Sequence, residues 1–306
     1  MNQTSRQYLG SLSSEQVMQD SQNLDQLDGF GIARLMNAAD ATVHEAVKQA
    51  LPAIGRAIEE IAKRLQSGGR LVYVGAGTSG RLGVLDASEC PPTFGVSPDL
   101  VTGIIAGGDL ALRLAAEGAE DNDFMGQKDL EDFGLTAQDA VVAISASGYA
   151  PYCCAALRYA RQTGALAIGL SCNSNTRLSR EADLAIETHT GPEVLMGSTR
   201  LKAGTATKMV LNMLSTGAMV RTGRVYRNLM VDMAATNQKL ADRSLRIIGH
   251  ATGLSPREAE PLLRRAEGRV KTAIVMHLAQ ADKAQAEEAL KKSGGWVARA
   301  LEELGI

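Results

Sequence analysis

The sequence is poor in the residues that most often announce a function. Of its 306 residues only four are cysteine, four are histidine and 4% are aromatic. Cys90, Cys153, Cys154 and Cys172 do not make a disulfide framework in a chain this long, and the adjacent Cys153 and Cys154 are awkward partners for each other. Free thiols in a reducing compartment are expected. His44, His189, His250 and His277 are far apart and no cysteine or histidine pair has ligand spacing, so neither a metal nor a cofactor is expected. So few aromatics cannot supply rows of stacking platforms for single-stranded bases. No serine-nucleophile elbow of the G-x-S-x-G type is present, since Ser79 sits in Gly-Thr-Ser-Gly.

Charge of one sign is also missing. The 32 Lys and Arg against 34 Asp and Glu leave a formal net charge of -2. No basic excess is available to displace counterions from nucleic acid or to hold an anionic membrane. Long apolar runs are absent as well: the first 21 residues are polar, and Lys208 to Val220 is interrupted by Asn212, Ser215 and Thr216. A soluble cytoplasmic protein is expected, with no nucleic-acid or membrane partner.

What the chain does have is glycine, 31 in all, and a change of rhythm. Residues 1–30 are a polar arm, extended or partly disordered. From Gly31 to Gln66, apolar residues recur at three- and four-residue intervals and predict two amphipathic helices ended by Gly68 and Gly69. Then come five short runs rich in Val and Ile: Arg70–Gly77, Leu100–Gly108, Ala140–Gly148, Ala165–Cys172 and Leu184–Thr190. Helix-length segments separate them, so an α/β fold with a roughly five-stranded parallel sheet flanked by helices is predicted. Ser198 to Thr222 reads as a buried helix. The chain is expected to divide into the arm, a catalytic domain with its preceding helices over 31–242, and a small all-helical module over 243–306. In that module Glu258–Ile274 aligns without gaps on Gln285–Leu301, which predicts two similar helical hairpins.

Two loops carry the chemical signal. The first strand runs into Gly75-Ala76-Gly77-Thr78-Ser79-Gly80, where backbone amides, a helix N-terminus and two hydroxyls can face an anion. The spacing also satisfies the dinucleotide fingerprint. That fingerprint expects an acid about 20 residues on, however, and the second strand ends in Ala106-Gly107-Gly108. The third strand ends in Ser145-Ala146-Ser147-Gly148, again rich in hydroxyls and again before a helix. Two such loops at the carboxyl ends of parallel strands can close around one phosphate and the polyol attached to it. Pro192-Glu193 and Ser198-Thr199-Arg200-Leu201-Lys202 form a third cluster, which reads equally well as a plain helix cap with solvated charges. Among the acids, Glu89 is followed by the double proline Pro91-Pro92, and Glu117, Glu120 and Asp121 fall on a helical stretch after the second strand.

At these residues the sequence resembles a known family. Val72–Gly95 (VYVGAGTSGRLGVLDASECPPTFG), Ala116–Asn122, Gly191–Met219 and Asn228–Met233 are similar to the N-acetylmuramic acid 6-phosphate etherases of the sugar isomerase (SIS) superfamily. The resemblance runs from about Leu35 to the C-terminus. It implies a three-layer SIS fold and cleavage of the D-lactyl ether at C3 of N-acetylmuramic acid 6-phosphate, giving N-acetylglucosamine 6-phosphate and D-lactate in amino-sugar recycling. It further implies that Glu89 gives a proton to the departing lactate and that Glu120 is the second acid/base, acting at C2. Gly77, Thr78, Ser79, Gly80, Ser145, Ser147, Gly148, Glu193, Ser198, Thr199, Arg200 and Lys202 are the implied substrate-binding set. A homodimer is implied too, with sites that a partner chain can complete. The alternative is a non-catalytic phosphosugar-binding regulator of the glucokinase regulatory protein type; retention of both Glu89 and Glu120 favours the enzyme. The chain departs from the family pattern at Tyr149-Ala150, where Arg-Thr is usual, and at Arg227, where glycine is usual.

Overall fold

The five Val- and Ile-rich runs become one parallel sheet: β1 Leu71–Gly75, β2 Val101–Ile105, β3 Ala140–Ile144, β4 Leu166–Ser171 and β5 Leu184–Glu187. Its strand order is β2-β1-β3-β4-β5. The structure is a computed structural model that describes residues 10–116, 118–233 and 238–306. Every residue of β1, β3 and β4 is buried. That is why these strands read as continuous apolar runs and not as an alternation: both faces of the sheet are covered.

Helices α1 (Gly29–Asp40) and α2 (Val43–Gln66) precede the sheet. Asp28 starts α1 by accepting a hydrogen bond from the Gly31 amide at 2.8 Å. Between the strands come α3 (Gly77–Phe94), α4 (Asp123–Phe133), α5 (Pro151–Thr163) and the short α6 (Arg177–Glu181); α7 (Lys202–Arg221) follows β5. Val72, Val74, Val141, Ala143 and Ala167 form one core with Leu130 of α4 and with Tyr152, Cys153 and Leu157 of α5. Alternate residues of the same strands, including Tyr73, Val142 and Ile168, are buried on the other face.

The described residues fall into two compact units, those within Met1–Ser88 and Asp99–Ser215, and those within Glu89–Pro98 and Thr216–Ile306. The second unit contains a two-stranded antiparallel ribbon, β6 (Val225–Tyr226) and β7 (Leu229–Met230). It continues with α8 (Gln238–Thr252), α9 (Pro256–Arg265), α10 (Val270–Leu278), α11 (Lys283–Lys292) and α12 (Val297–Glu303). The internal repeat is visible as two hairpins, α9–α10 and α11–α12. Each opens on a capping box, Ser255 with Glu258 and Asp282 with Gln285. One core holds them together, with Leu262, Ile274, Leu290, Val297 and Leu301 among its members. Arg227, in the turn of the ribbon, has a φ of 55°. Glycine occupies that left-handed region without a steric cost, which is the physical reason it is usual there.

Arg70 and Asp139 immediately precede β1 and β3 and tie the two strands together. The Asp139 carboxylate accepts from the Arg70 amide and Nη2 at 2.8 and 2.7 Å and from the Thr136 amide at 2.8 Å. Burial pushes this carboxyl up, but the bonds from Arg70 and Thr136 and the guanidinium charge outweigh it and hold it below its usual 3.8. Asp139 is 1% exposed, so removing it strands a guanidinium half-out of water. Asp139→Ala is expected to cost about 3 kcal/mol in urea unfolding. In the parent, the share of stability due to this pair is fully present above pH 3.8 and is lost as pH falls below that value. The variant should therefore show a shallower loss of stability in acid.

Candidate functional site

In an open parallel sheet a ligand crevice opens at the carboxyl ends of the strands where the strand order reverses. Here the reversal lies between β1 and β3, which pair with Leu71 opposite Ala140 and Gly75 opposite Ile144. The two hydroxyl-rich loops therefore leave the sheet side by side. They line a cavity of about 440 Å³ to which Gly77, Thr78, Ser79, Ser145 and Ser147 all contribute.

The first loop is already helical. Helix α3 starts at Gly77, so Thr78 and Ser79 form its first turn and its free amides point to the crevice end. Gly80 does not line the cavity. It allows α3 to approach the sheet, since a Cβ there would sit 2.5 Å from the Gly75 carbonyl oxygen and 2.6 Å from Ile105. In the second loop, Ser145 Oγ accepts from the Gly148 amide at 3.1 Å and Ser147 Oγ from the Tyr149 amide at 3.2 Å. The two hydroxyls lie 3.3 Å apart. One can donate to the other, which leaves at least one O–H free to donate to a ligand. Gly148 is a backbone necessity: its φ is 69°, and a Cβ would fall 2.4 Å from Thr176.

Of the third cluster, Thr199 reaches the cavity wall, whereas Ser198, Arg200, Lys202 and Glu193 do not. Glu193 is fully buried and accepts from the amides of Lys202 and Ala203, both at 2.9 Å. Its charge caps the N-terminus of α7. Burial pushes the Lys202 ammonium down, opposed by the charges of Glu193 and Asp40. Gly204 and Thr207, one and two turns into the cluster's helix, add to the wall.

Glu120 lines the cavity. It sits not on a helix but on a 3-10 turn, Ala119–Asp121, preceded by the left-handed Gly118 and followed by Asn122, which caps α4 through the Met125 amide at 3.1 Å. The segment leading to it is held by Arg81, which donates to the carbonyls of Ala111, Leu112 and Leu114 at 2.7, 3.0 and 3.1 Å. Although Glu120 as a residue stays exposed at the cavity edge, burial of its carboxyl end pushes the acid up, and the charges of Asp121 and Glu15 add to the shift. Glu89 belongs to the second unit, is exposed, and is not part of this wall. Glu117 lies outside the described residues. Tyr149, which the sequence marks only as a departure from the family pattern, and Glu15, which the sequence reading missed, both line the cavity. Among the described residues no group of three or more His, Cys, Asp or Glu is placed to hold a metal ion, and no helix is long and apolar enough to cross a membrane.

Residues 53–161 match the glucokinase regulatory protein N-terminal SIS domain, and residues 116–217 match the SIS domain. The chain is 53% identical over 294 residues to the N-acetylmuramic acid 6-phosphate etherase of Salmonella agona, covering 96% of this chain and 99% of that one. It is 50% identical over 294 residues to N-acetylmuramic acid 6-phosphate etherase 1 of Bacillus licheniformis, covering 96% and 97%. This chain belongs to the N-acetylmuramic acid 6-phosphate etherase family. A phosphoheptose isomerase structure from Francisella tularensis is also similar, at 17% identity with a TM-score of 0.46, covering 61% of this chain and 98% of that one.

Set against the etherase pattern, Tyr149 takes the place of a usual cation, and its ring has the Arg177 guanidinium 6.0 Å from its centroid. Thr78, Ser79, Ser145, Ser147 and Thr199 bring hydroxyls, which suit an oxyanion, to a cavity wall that also carries Glu15, Glu120 and Asp121. Inorganic phosphate is expected to bind here in calorimetry. A hydrogen bond to a charged group is worth about 1.5–3 kcal/mol, so Ser147→Ala is expected to weaken that binding about tenfold or more.

Proposed function

We propose that this enzyme cleaves the D-lactyl ether of N-acetylmuramic acid 6-phosphate by elimination and water addition, releasing N-acetylglucosamine 6-phosphate and D-lactate. One observation carries the reading to this site: the strand reversal brings two hydroxyl-rich loops and the raised acid Glu120 onto one cavity. Family membership supports the reaction. The regulator alternative is not favoured, because relatives at 53% and 50% identity across nearly the whole chain are named as etherases.

In the open-chain sugar the C2 hydrogen lies beside the C1 aldehyde, which makes it acidic. Glu120 takes this proton. The C3–O bond then breaks with its electron pair on the lactyl oxygen, Glu89 supplies the proton that oxygen needs, and a C2–C3 double bond remains. Water adds its hydroxyl to C3 and a proton returns to C2, so atoms balance with two carboxyl groups as acid and base. Gly77, Thr78, Ser79, Ser145, Ser147 and Thr199 are assigned to phosphate and sugar hydroxyls. Gly80, Gly148 and Glu193 are assigned to shaping the loops and α7 that carry them, and Ser198, Arg200 and Lys202 to the flank of that helix. The enzyme is proposed to act in the cytoplasm as a homodimer, for which light scattering is the check; a monomer mass would refute it.

Glu120→Gln is expected to abolish both exchange of the C2 hydrogen with solvent deuterium and lactate release, by about 10²–10⁴-fold. Retained exchange would place the base elsewhere. Glu89→Ala is expected to stop lactate release while leaving C2 exchange partly intact; full etherase activity in that variant would remove Glu89 from the mechanism.

A further inference from the structure

The polar arm has an unexpected place. Its described part runs through three 3-10 turns, Ser13–Glu15, Gln19–Ser21 and Leu24–Gln26. The first turn is docked, with Leu12 5% exposed and Ser14 fully buried. One side chain holds it. The Asn173 amide nitrogen donates to the Ala146 carbonyl at 3.0 Å and to Ser14 Oγ at 2.9 Å, and its oxygen accepts from the Ser13 hydroxyl at 2.9 Å and the Ser14 amide at 3.2 Å. Asn173 is 2% exposed, so releasing the arm would break three of the four hydrogen bonds of a buried amide, a costly change. Ala146 belongs to the second phosphate loop and to the cavity wall. The same asparagine therefore fixes the loop and the arm to each other.

The next arm residue, Glu15, is half-buried and lines the cavity that Glu120 lines. Its Oε2 lies 3.9 Å from where a Cβ on Gly197, another wall residue, would stand. We infer that the N-terminal arm is a working wall of the etherase cavity and that Glu15 is a positioning residue for proton transfer at C2, acting through Glu120. The inference rests on the reading of Glu120 as the C2 base.

Physically, a carboxylate facing another across a partly dehydrated cavity disfavours the second negative charge. Among the described residues, the titratable groups that act on Glu120 or share its cavity are Asp121 on its own turn, Glu15 on the arm, Tyr149 after the second loop and Cys153 on α5, whose thiol burial holds protonated. A carboxylate whose conjugate acid is raised is a stronger base, which favours removal of a weakly acidic C–H. The arm thus supplies part of the field that sets the strength of the base.

The test is the pH profile of C2 hydrogen exchange in deuterated solvent for the full chain, with parent, Glu15→Gln, Glu15→Asp and Glu120→Gln side by side. A base works once deprotonated, so exchange rises with pH through the value of Glu120. Removing the Glu15 charge lets Glu120 lose its proton earlier, and the acidic limb in Glu15→Gln is expected to move to lower pH. Relative to its own plateau, the variant then exchanges faster than the parent in acid, whereas packing damage would lower the plateau without moving the limb. Glu15→Asp, which keeps the charge, is expected to hold its limb nearer the parent's. An unmoved limb in Glu15→Gln, or an equal shift in Glu15→Asp, overturns the inference. So does complete loss of exchange in folded Glu15→Gln, which would make Glu15 itself the base. Exchange retained in Glu120→Gln instead overturns the assignment of Glu120, and the two failures are told apart.

Discussion

The parallel pairing of β1 with β3 is the constraint on which the site depends. The strands run in register from Leu71 opposite Ala140 to Gly75 opposite Ile144, and their two ends are treated differently. At the amino ends, Asp139 ties β3 to β1 by accepting from both the backbone amide and the guanidinium of Arg70. At the carboxyl ends the chain departs in two hydroxyl-rich turns, and the reversal of strand order leaves no third strand between them. The crevice is the space those turns enclose. Slipping one strand by a residue would send buried side chains to the wrong face and pull the loops apart.

Two polar stays then fix what surrounds the crevice. Arg81, one residue past the first loop, holds the carbonyls of the segment that leads to Glu120. Asn173, just past β4, holds the second loop against the arm that carries Glu15. Each stay, Arg81 in α3 and Asn173 after β4, joins a part of the chain anchored to the sheet to a segment with little regular structure of its own. Without such bonds a 3-10 turn has too few internal contacts to hold a carboxylate in place.

How far the sequence discloses this depends on the range of the interaction. Strands and loops are local: a buried parallel strand must be apolar throughout, and a close approach such as that of Gly80 to Gly75 demands glycine, so both are written in consecutive residues. The paired hairpins of the C-terminal helices are local as well, because each capping box spans four residues. Glu193 was visible as a polar residue near a helix start but its role was not, since a carboxylate capping an N-terminus and one binding a ligand have the same spacing. The turn at Glu120 departs from the expected helix because Gly118 takes a left-handed φ of 75°, which composition alone does not require. The docking of the arm is least legible. Its bonds join Ser13 and Ser14 to Asn173, about half the chain away, and no periodicity records a contact of that kind.

On the proposed reading, the makeup of the cavity wall lets one site hold an anion and keep a strong base. Among the described residues lining it none is Lys, Arg or His. A lysine or arginine beside the phosphate would bind it more tightly, but the same cation would stabilise the Glu120 carboxylate and weaken it as a base. In that reading, hydroxyls and helix amides would offer the phosphate directed donors whose field falls off within a turn, without placing a cation beside Glu120. Tyr149 lines the cavity where the family pattern has a cation, and the Arg177 guanidinium lies 6.0 Å from its ring centroid. At Glu120, the charges of Asp121 and Glu15 act in the same direction as burial.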